Sequence, residues 1–395
     1  MIAAASTAGS ADGLLPQTPA LPPDAVLLHV GVHKTGTTAM QAAWADARPE
    51  LVERKVLYPG KRAAHHGAAL AMLQRPWGWK DRGGEVSSRT VFDKLARQAT
   101  AWPDRVVISS EHFCEVDARM AGEIVDAFGP ERTQVVFTLR NLGSLLPSSW
   151  QQYLKYGVAA PYETWLENTF AAESKRTVSP SFWRRNDHGA AARKWADIVG
   201  PDQVTMIVLE HVDRSAMFRT FAQLVDIPEE ILTSRMGLTS NRSMTASESE
   251  LLRRLNKQVK SSLTWGEYQR LVRVAVARSV VEGREPGQDE PRLHTPDWAL
   301  DAAAERGAAA VAGIRESGVK VIGDLNALAE RTTSPPPAPE AIADLIPIDA
   351  AVNALASLVL LTQFEPTRQD LTKQLLKQLR AEAGAKIKRR TKKGS

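Results

Sequence analysis

The segment HVGVHKTGTT, His29 to Thr38, decides how the rest of the chain is read. It has the outline of a phosphate-cradling loop, G-x-x-x-x-G-K-[ST], with Gly31 and Gly36 at the required separation. Its lysine is displaced. Thr37 holds the lysine slot, and Lys34 stands three residues earlier, inside the loop. The preceding AVLLHVGV (25–32) is a short apolar run of the kind that forms a buried parallel strand. The following TTAMQAAWADARPELVERK repeats Met40, Ala43, Trp44, Ala47, Leu51 and Val52 at helical spacing, with Pro49 against continuity. Strand, glycine loop and helix make a βα unit.

Three more apolar runs read as buried strands: RVVISS (105–110), QVVFTLR (134–140) and QVTMIVLE (203–210). Each follows a helix-like segment, and Gly129 and Gly200 stand where glycine closes a helix. Alternating strands and helices predict an open parallel α/β sheet, with ligands bound beyond the carboxyl ends of its strands. That singles out Lys34 and its neighbours, Glu111, Arg140 and Glu210. From about 246 the pattern turns helical. Thr245 with Glu248, and Ser247 with Glu250, each fit a capping box. The expected organisation is a disordered leader (1–24), an α/β domain (25–245), a helical continuation (246–331), a proline linker (332–340) and a helical, basic tail (341–395).

Bulk properties narrow the class. A chain of 395 residues, 43% hydrophobic, can bury a sizeable core. The +5 charge is concentrated in the terminal GAKIKRRTKKGS, so it does not argue for nucleic acid. The tail could touch anionic lipid, but a solvated terminus is the simpler expectation. The single cysteine, Cys114, excludes a disulfide framework or a cysteine-rich zinc site. No apolar run is long enough for a membrane span, and the N-terminus lacks the positive region of a secretory signal, so the expected address is the cytoplasm.

A glycine loop between strand and helix aims backbone N–H groups, and the positive end of the helix, at one spot. Thr37 and Thr38 fall at that helix start, and Lys34 adds a full charge. A second cluster, TLRNLGSLLPSSWQQYLKYG (138–157), begins with Arg140 at a strand end. Ser148 follows eight residues on, after Pro147, which the sequence places in a first helical turn. Arginine's forked donors suit a second phosphate.

Together these clusters resemble the PAPS-dependent sulfotransferase family, whose donor is 3′-phosphoadenosine 5′-phosphosulfate. Over roughly 25–245 the resemblance implies a P-loop-NTPase-like three-layer α/β/α fold. It implies that Lys34, Thr35, Gly36, Thr37 and Thr38 hold the 5′-phosphosulfate, and that Arg140, Asn141 and Ser148 serve the 3′-phosphate. Lys34 would stabilise charge on the bridging oxygen as the bond to sulfur breaks, with no metal needed. Asn241, Arg242 and Ser243 stand where the family has a loop over the nucleotide, although the family's glycines are missing; Arg242 is the candidate contact there. Glu210 takes the position of an acid that supports neighbouring loops.

Transfer to a hydroxyl acceptor, a carbohydrate or glycolipid among the options, needs a base within hydrogen-bond reach. Glu111 is favoured, with His66 and His112 behind it; His65 shares the ambiguity of His66. Trp77, Trp79, Trp150, Tyr153, Tyr156, Trp165 and Trp183 divide between core and an acceptor cleft. Two other readings stay open. A P-loop nucleotide kinase or NTPase would want a lysine at position 37 and a strand ending in aspartate, and the chain has neither. A non-catalytic adenylate-binding scaffold would act through the helical C-terminus.

Overall fold

A computed structural model describes residues 15–237, 242–337 and 345–363. Its centre is a six-stranded parallel sheet with spatial order β2-β5-β1-β6-β7-β8. The strands are β1 (Val26–Gly31), β2 (Val56–Leu57), β5 (Arg105–Ser109), β6 (Thr133–Leu139), β7 (Val204–Val208) and β8 (Lys320–Ile322), with β3 (Pro76–Trp77) and β4 (Glu85–Val86) forming a separate antiparallel hairpin. Every residue of β1, β6 and β7 is buried, as a sheet covered on both faces requires.

Alternation within the strands sorts the core into two layers. Val26, Leu28 and Val30 pack with the helices Arg89–Thr100, Ala118–Phe128 and His188–Val199. Leu27 faces the opposite layer, with Trp44 of the helix Thr37–Asp46 and Phe221 of the helix Ala216–Leu224. The fold is a three-layer α/β/α sandwich with a helical C-terminal region. A third cluster, rich in tryptophan and tyrosine, joins the helix leaving β6 (Leu142–Leu154) to the helix Ala246–Val259 and to Trp265, Tyr268 and Val272.

Local signals act as the sequence implies. Gly129 and Gly200 close their helices at positive φ, 96° and 86°. Thr245 and Glu248 form a reciprocal capping box. The stretch after the glycine loop divides into two helices, Thr37–Asp46 and Arg48–Glu53, with Pro49 in the first turn of the second.

Four expectations are corrected. Residues 15–24 of the expected leader are packed: Leu21 is buried, its N–H donates to Leu224 O, and Arg105 donates to its carbonyl. The stretch read as a helical continuation (246–331) also supplies a strand, β8, which pairs with β7. Pro147 lies inside the helix Leu142–Leu154, because Asn141 caps that helix earlier by accepting from the Gly143 N–H at 2.8 Å. The first part of the proline linker is tied down, with Ser334 Oγ accepting from Thr295 N at 2.7 Å and Pro335 O 2.8 Å from His294 Nδ1. Residues 1–14, 238–241 (with Asn241), 338–344 and the basic tail lie outside the described residues. Among the described residues no helix is long and apolar enough to cross a membrane.

Candidate active site

β1 occupies the position where the chain passes from one half of the sheet to the other, with β5 on one side and β6 on the other. Its carboxyl end is therefore a crevice where two neighbouring connections diverge. The register with β6 shifts between His29 and Gly31, and Gly31 turns at φ 96°. A Cβ at Gly31 would lie 2.8 Å from Glu111 Cα, so only glycine lets the loop and the end of β5 meet. Gly36 enters the helix Thr37–Asp46 at φ 86°, against the Met217 side chain.

Lys34 sits between these glycines in the left-handed region, at φ 67°. That conformation costs a residue with a Cβ about 1–2 kcal/mol, which marks the position as one where geometry is being enforced. Burial and then the neighbouring charge of Lys155 lower its ammonium pKa to about 8, against an opposing pull from Glu111. The Thr35 hydroxyl faces inward: it donates to Val32 O at 2.8 Å and lies 2.6 Å from Thr138 Oγ1. Its side chain thus braces the loop through Val32 and Thr138, where a phosphate contact is expected of it. Thr37 is buried at the helix start and Thr38 is exposed.

Glu111 follows β5 and opens a short 3-10 turn, Glu111–Glu115. Gln41, one turn into the helix after the loop, donates to Glu111 Oε2 at 3.0 Å. His66 Nε2 stands 3.7 Å from Glu111 Oε1, and His66 Nδ1 is 2.9 Å from Ser110 Oγ. Burial works to raise the Glu111 pKa, but His66, His33 and His112 hold it down, to about 2. Burial lowers His33 to about 3 and moves His66 below its ordinary value. Near neutral pH the pair is thus a carboxylate beside a neutral imidazole. His65 has a different task. Its Nδ1 accepts from the Ser109 N–H at 3.0 Å and its Nε2 reaches Pro59 O at 2.9 Å, so both ring nitrogens serve the fold.

His112 is buried behind this pair, its ring centroid 5.1 Å from that of His66. With His33 and Glu115 it makes a group of metal-ligand type. Arg185 Nε, however, bonds Glu115 Oε1 at 2.9 Å and Arg75 reaches Oε2 at 3.5 Å. Against burial, Arg185 above all holds Glu115 well below the usual carboxylate range. With a guanidinium already on the carboxylate, a cation there would meet like charge, and the group reads as an internal brace for the loop and the 3-10 turn.

The second cluster is arranged differently from the first. Arg140 is about 39% exposed in its side chain, and its Nε lies 3.4 Å from Glu210 Oε1, which also accepts from the Asn141 N–H at 2.8 Å. Arg140 further lines a crevice with Asn186, His188 and Arg306. Ser148 donates its hydroxyl to Leu145 O at 3.1 Å, within its own helix. Arg242 grips buried Glu248 with both terminal nitrogens, at 2.7 and 2.8 Å, and donates to Val280 O. Its guanidinium is thereby committed to a helix cap. Lys34, Glu111, His66 and His112 converge; among the described residues, Arg140, Ser148 and Arg242 form no hydrogen bond or ion pair with the loop.

Among solved structures, the chain is similar to the sulfotransferase from Alicyclobacillus acidocaldarius, at 14% identity and a TM-score of 0.40, over 63% of this chain and all of that one. No family model matches the chain. No curated protein matches it either. At this distance the likeness says nothing about activity, and the functional reading rests on the site itself.

Sequence reasoning missed Gln41, Ser110, Lys155 and Arg273. Gln41 has a signal: it stands one turn after Thr37, on the face that also presents buried Trp44 to the core. Arg273 has none, because it lies in a π-helix, Gln269–Ala277, whose wider turn breaks the 3.6-residue repeat.

Proposed function

We propose that this protein transfers a sulfuryl group from PAPS to a hydroxyl-bearing acceptor. The observation that carries the reading is the placement of Lys34: inside the loop, in the left-handed region, and within electrostatic reach of Glu111. A lysine there meets an anion from the loop side, unlike the lysine at the helix start that serves a nucleoside triphosphate.

In the proposed reaction the acceptor oxygen attacks sulfur as the bond from sulfur to the 5′-phosphate oxygen breaks. Adenosine 3′,5′-bisphosphate leaves, and the acceptor gains the sulfuryl group. The loop amides and the start of the helix Thr37–Asp46 would hold the 5′-phosphate, with Thr37 and Thr38 beside it. Lys34 would neutralise charge as it develops on the leaving oxygen. Glu111 would take the acceptor's proton, oriented by Gln41 and His66. A carboxylate held near 2 is a weak base, so the reading requires the anionic donor to raise it on binding. Arg140 and Ser148 would contribute to the 3′-phosphate once Glu210 shares Arg140 with the ligand.

Parallel calorimetric titrations with adenosine 3′,5′-bisphosphate and with Mg²⁺–ATP test the reading. Preference for the bisphosphate by tenfold or more is expected. Equal or tighter binding of Mg²⁺–ATP would overturn it in favour of an NTPase. Tight bisphosphate binding with no turnover of PAPS on any acceptor would instead favour a scaffold.

A further inference from the structure

Beside His112, the side chains form an aromatic wall. Trp77, in the β3–β4 hairpin, meets the His112 ring edge-on at 5.4 Å and Tyr156 at 5.5 Å. Trp265 stacks near Tyr156 at 6.3 Å. Gly78 exists to let this happen, since a Cβ there would lie 2.3 Å from Trp265 Cγ. Into the wall the π-helix projects Arg273, its guanidinium carbon 4.7 Å from the Tyr156 ring centre, 5.5 Å from that of Trp265 and 5.6 Å from that of Trp77. With its amide oxygen turned inward, Gln269 accepts from Trp77 Nε1 at 2.9 Å and Arg273 Nη1 at 3.2 Å, fixing the guanidinium in place.

Among the described residues no carboxylate lies within 4.0 Å of Arg273, Lys155 or Lys34, although other buried or half-buried arginines here, such as Arg185 and Arg284, are paired. Cation–π contact offsets part of the cost of burying a guanidinium and leaves the N–H groups not taken by Gln269 for a planar or tetrahedral anion. Lys155, next to Tyr156, is lowered by burial and then by Arg273, so the two charges feel each other. Glu282 acts on Lys155 and Glu111 on Lys34 without ion-pair contact, so the cluster keeps positive charge that a bound anion would offset.

We propose that Arg273, with Lys155 beside it, binds a carboxylate or phosphate carried by the acceptor, whose ring lies against Trp77 and Tyr156 with buried Trp265 backing them. The acceptor is then a hydroxyl-bearing ring compound that is itself anionic, with its charge on the wall and its hydroxyl at Glu111. This rests on the sulfuryl-transfer reading for the identity of the reaction, and on the wall alone for the acceptor's charge.

The test uses two matched pairs, methyl glucuronide against methyl glucoside, and 4-hydroxyphenylacetate against 4-methylphenol. Binding is read by tryptophan fluorescence with adenosine 3′,5′-bisphosphate present, and turnover by kcat/KM with PAPS. In at least one pair the charged member should be favoured tenfold or more. Arg273→Gln should abolish the preference, Arg273→Lys should keep most of it, and bisphosphate affinity should be unchanged in both. No binding of either charged member, equal binding within both pairs, or a preference that survives Arg273→Gln overturns the proposal. A loss of bisphosphate affinity in Arg273→Gln also overturns it, by assigning the cation to the donor. Charged-member binding that depends on Arg273, but without PAPS turnover, sustains the anion subsite and sinks the sulfuryl-transfer reading. Circular dichroism of both variants shows whether either has lost its fold, and Arg273→Lys carries the test if Arg273→Gln has.

Discussion

The charge on Lys34 should set the alkaline limit of donor use. Its ammonium is lowered to about 8 by burial and by Lys155. A lysine contributes to anion binding only while protonated, so the sign is fixed: function present below the pKa and lost above it. With a pKa near 8, roughly 90% of Lys34 is protonated at pH 7 and roughly 10% at pH 9, whereas an ordinary lysine would still be almost fully charged. The quotient kcat/KM for PAPS, which reports ionisations of the free enzyme, should therefore fall about 25-fold between pH 7.5 and pH 9.5. Binding should also take up protons. At pH 8.5, adenosine 3′,5′-bisphosphate should draw about three-quarters of a proton from solution, measurable by calorimetry in buffers of different ionisation enthalpy. In Lys34→Arg, whose guanidinium stays charged, the alkaline limb should vanish even if the maximal rate is reduced. A kcat/KM flat from pH 7 to pH 10, or proton uptake unchanged in Lys34→Arg, would refute the reasoning.

The same shift has a stability consequence: holding Lys34 charged costs the folded state up to about 3 kcal/mol at neutral pH. Lys34→Met should thus raise the thermal midpoint at pH 7 while abolishing transfer; a lower midpoint would contradict it. Glu111→Gln should cut kcat by roughly 10²–10⁴ and leave bisphosphate affinity within a few-fold, read by steady-state kinetics and calorimetry. Gly31→Ala should destabilise by about 2–4 kcal/mol, because it adds both a positive-φ penalty and a clash with Glu111, and chemical denaturation measures this directly. Glu248 is buried under Arg242 and Arg284, so Glu248→Gln should cost about 3–5 kcal/mol by leaving the Arg242 guanidinium without its carboxylate, while Arg284 keeps Glu290 and Asp349; a loss below 1 kcal/mol would show that water reaches Arg242.

The main strands were legible because they are continuous apolar runs, those after Gly129 and Gly200 each following a glycine-closed helix, a signal that needs no tertiary context. β2 and β8 were not, since two or three residues such as Val56–Leu57 or Lys320–Ile322 have no periodicity of their own and exist only through pairing with β5 and β7. The convergence of Lys34 and Glu111 followed from one rule about strand ends, applied to two neighbouring strands. Side-chain direction did not follow. Thr35 and Thr37 look equivalent in KTGTT, yet the Thr35 hydroxyl is claimed by Val32 and Thr138. Arg242 looked free in sequence because nothing local reveals that Glu248, six residues on, turns back to hold it. The aromatic wall draws on residues 77, 156, 265 and 273, a separation over which one sequence carries no spacing rule.

The bonds made by Asn141 impose an order on synthesis. Its amide donates to Ala327 O at 2.8 Å and to Glu330 O at 2.7 Å, and β7 finds its outer neighbour only in Lys320–Ile322. A ribosome that has made the loop, Glu111 and Arg140 has not yet made the segment that seats Asn141 or covers the sheet's edge. At about 5–20 residues per second, some ten seconds or more separate the emergence of Asn141 from that of its partners. During that interval the nascent chain carries an open strand edge, the kind of surface that chaperones bind and that pairs with neighbours.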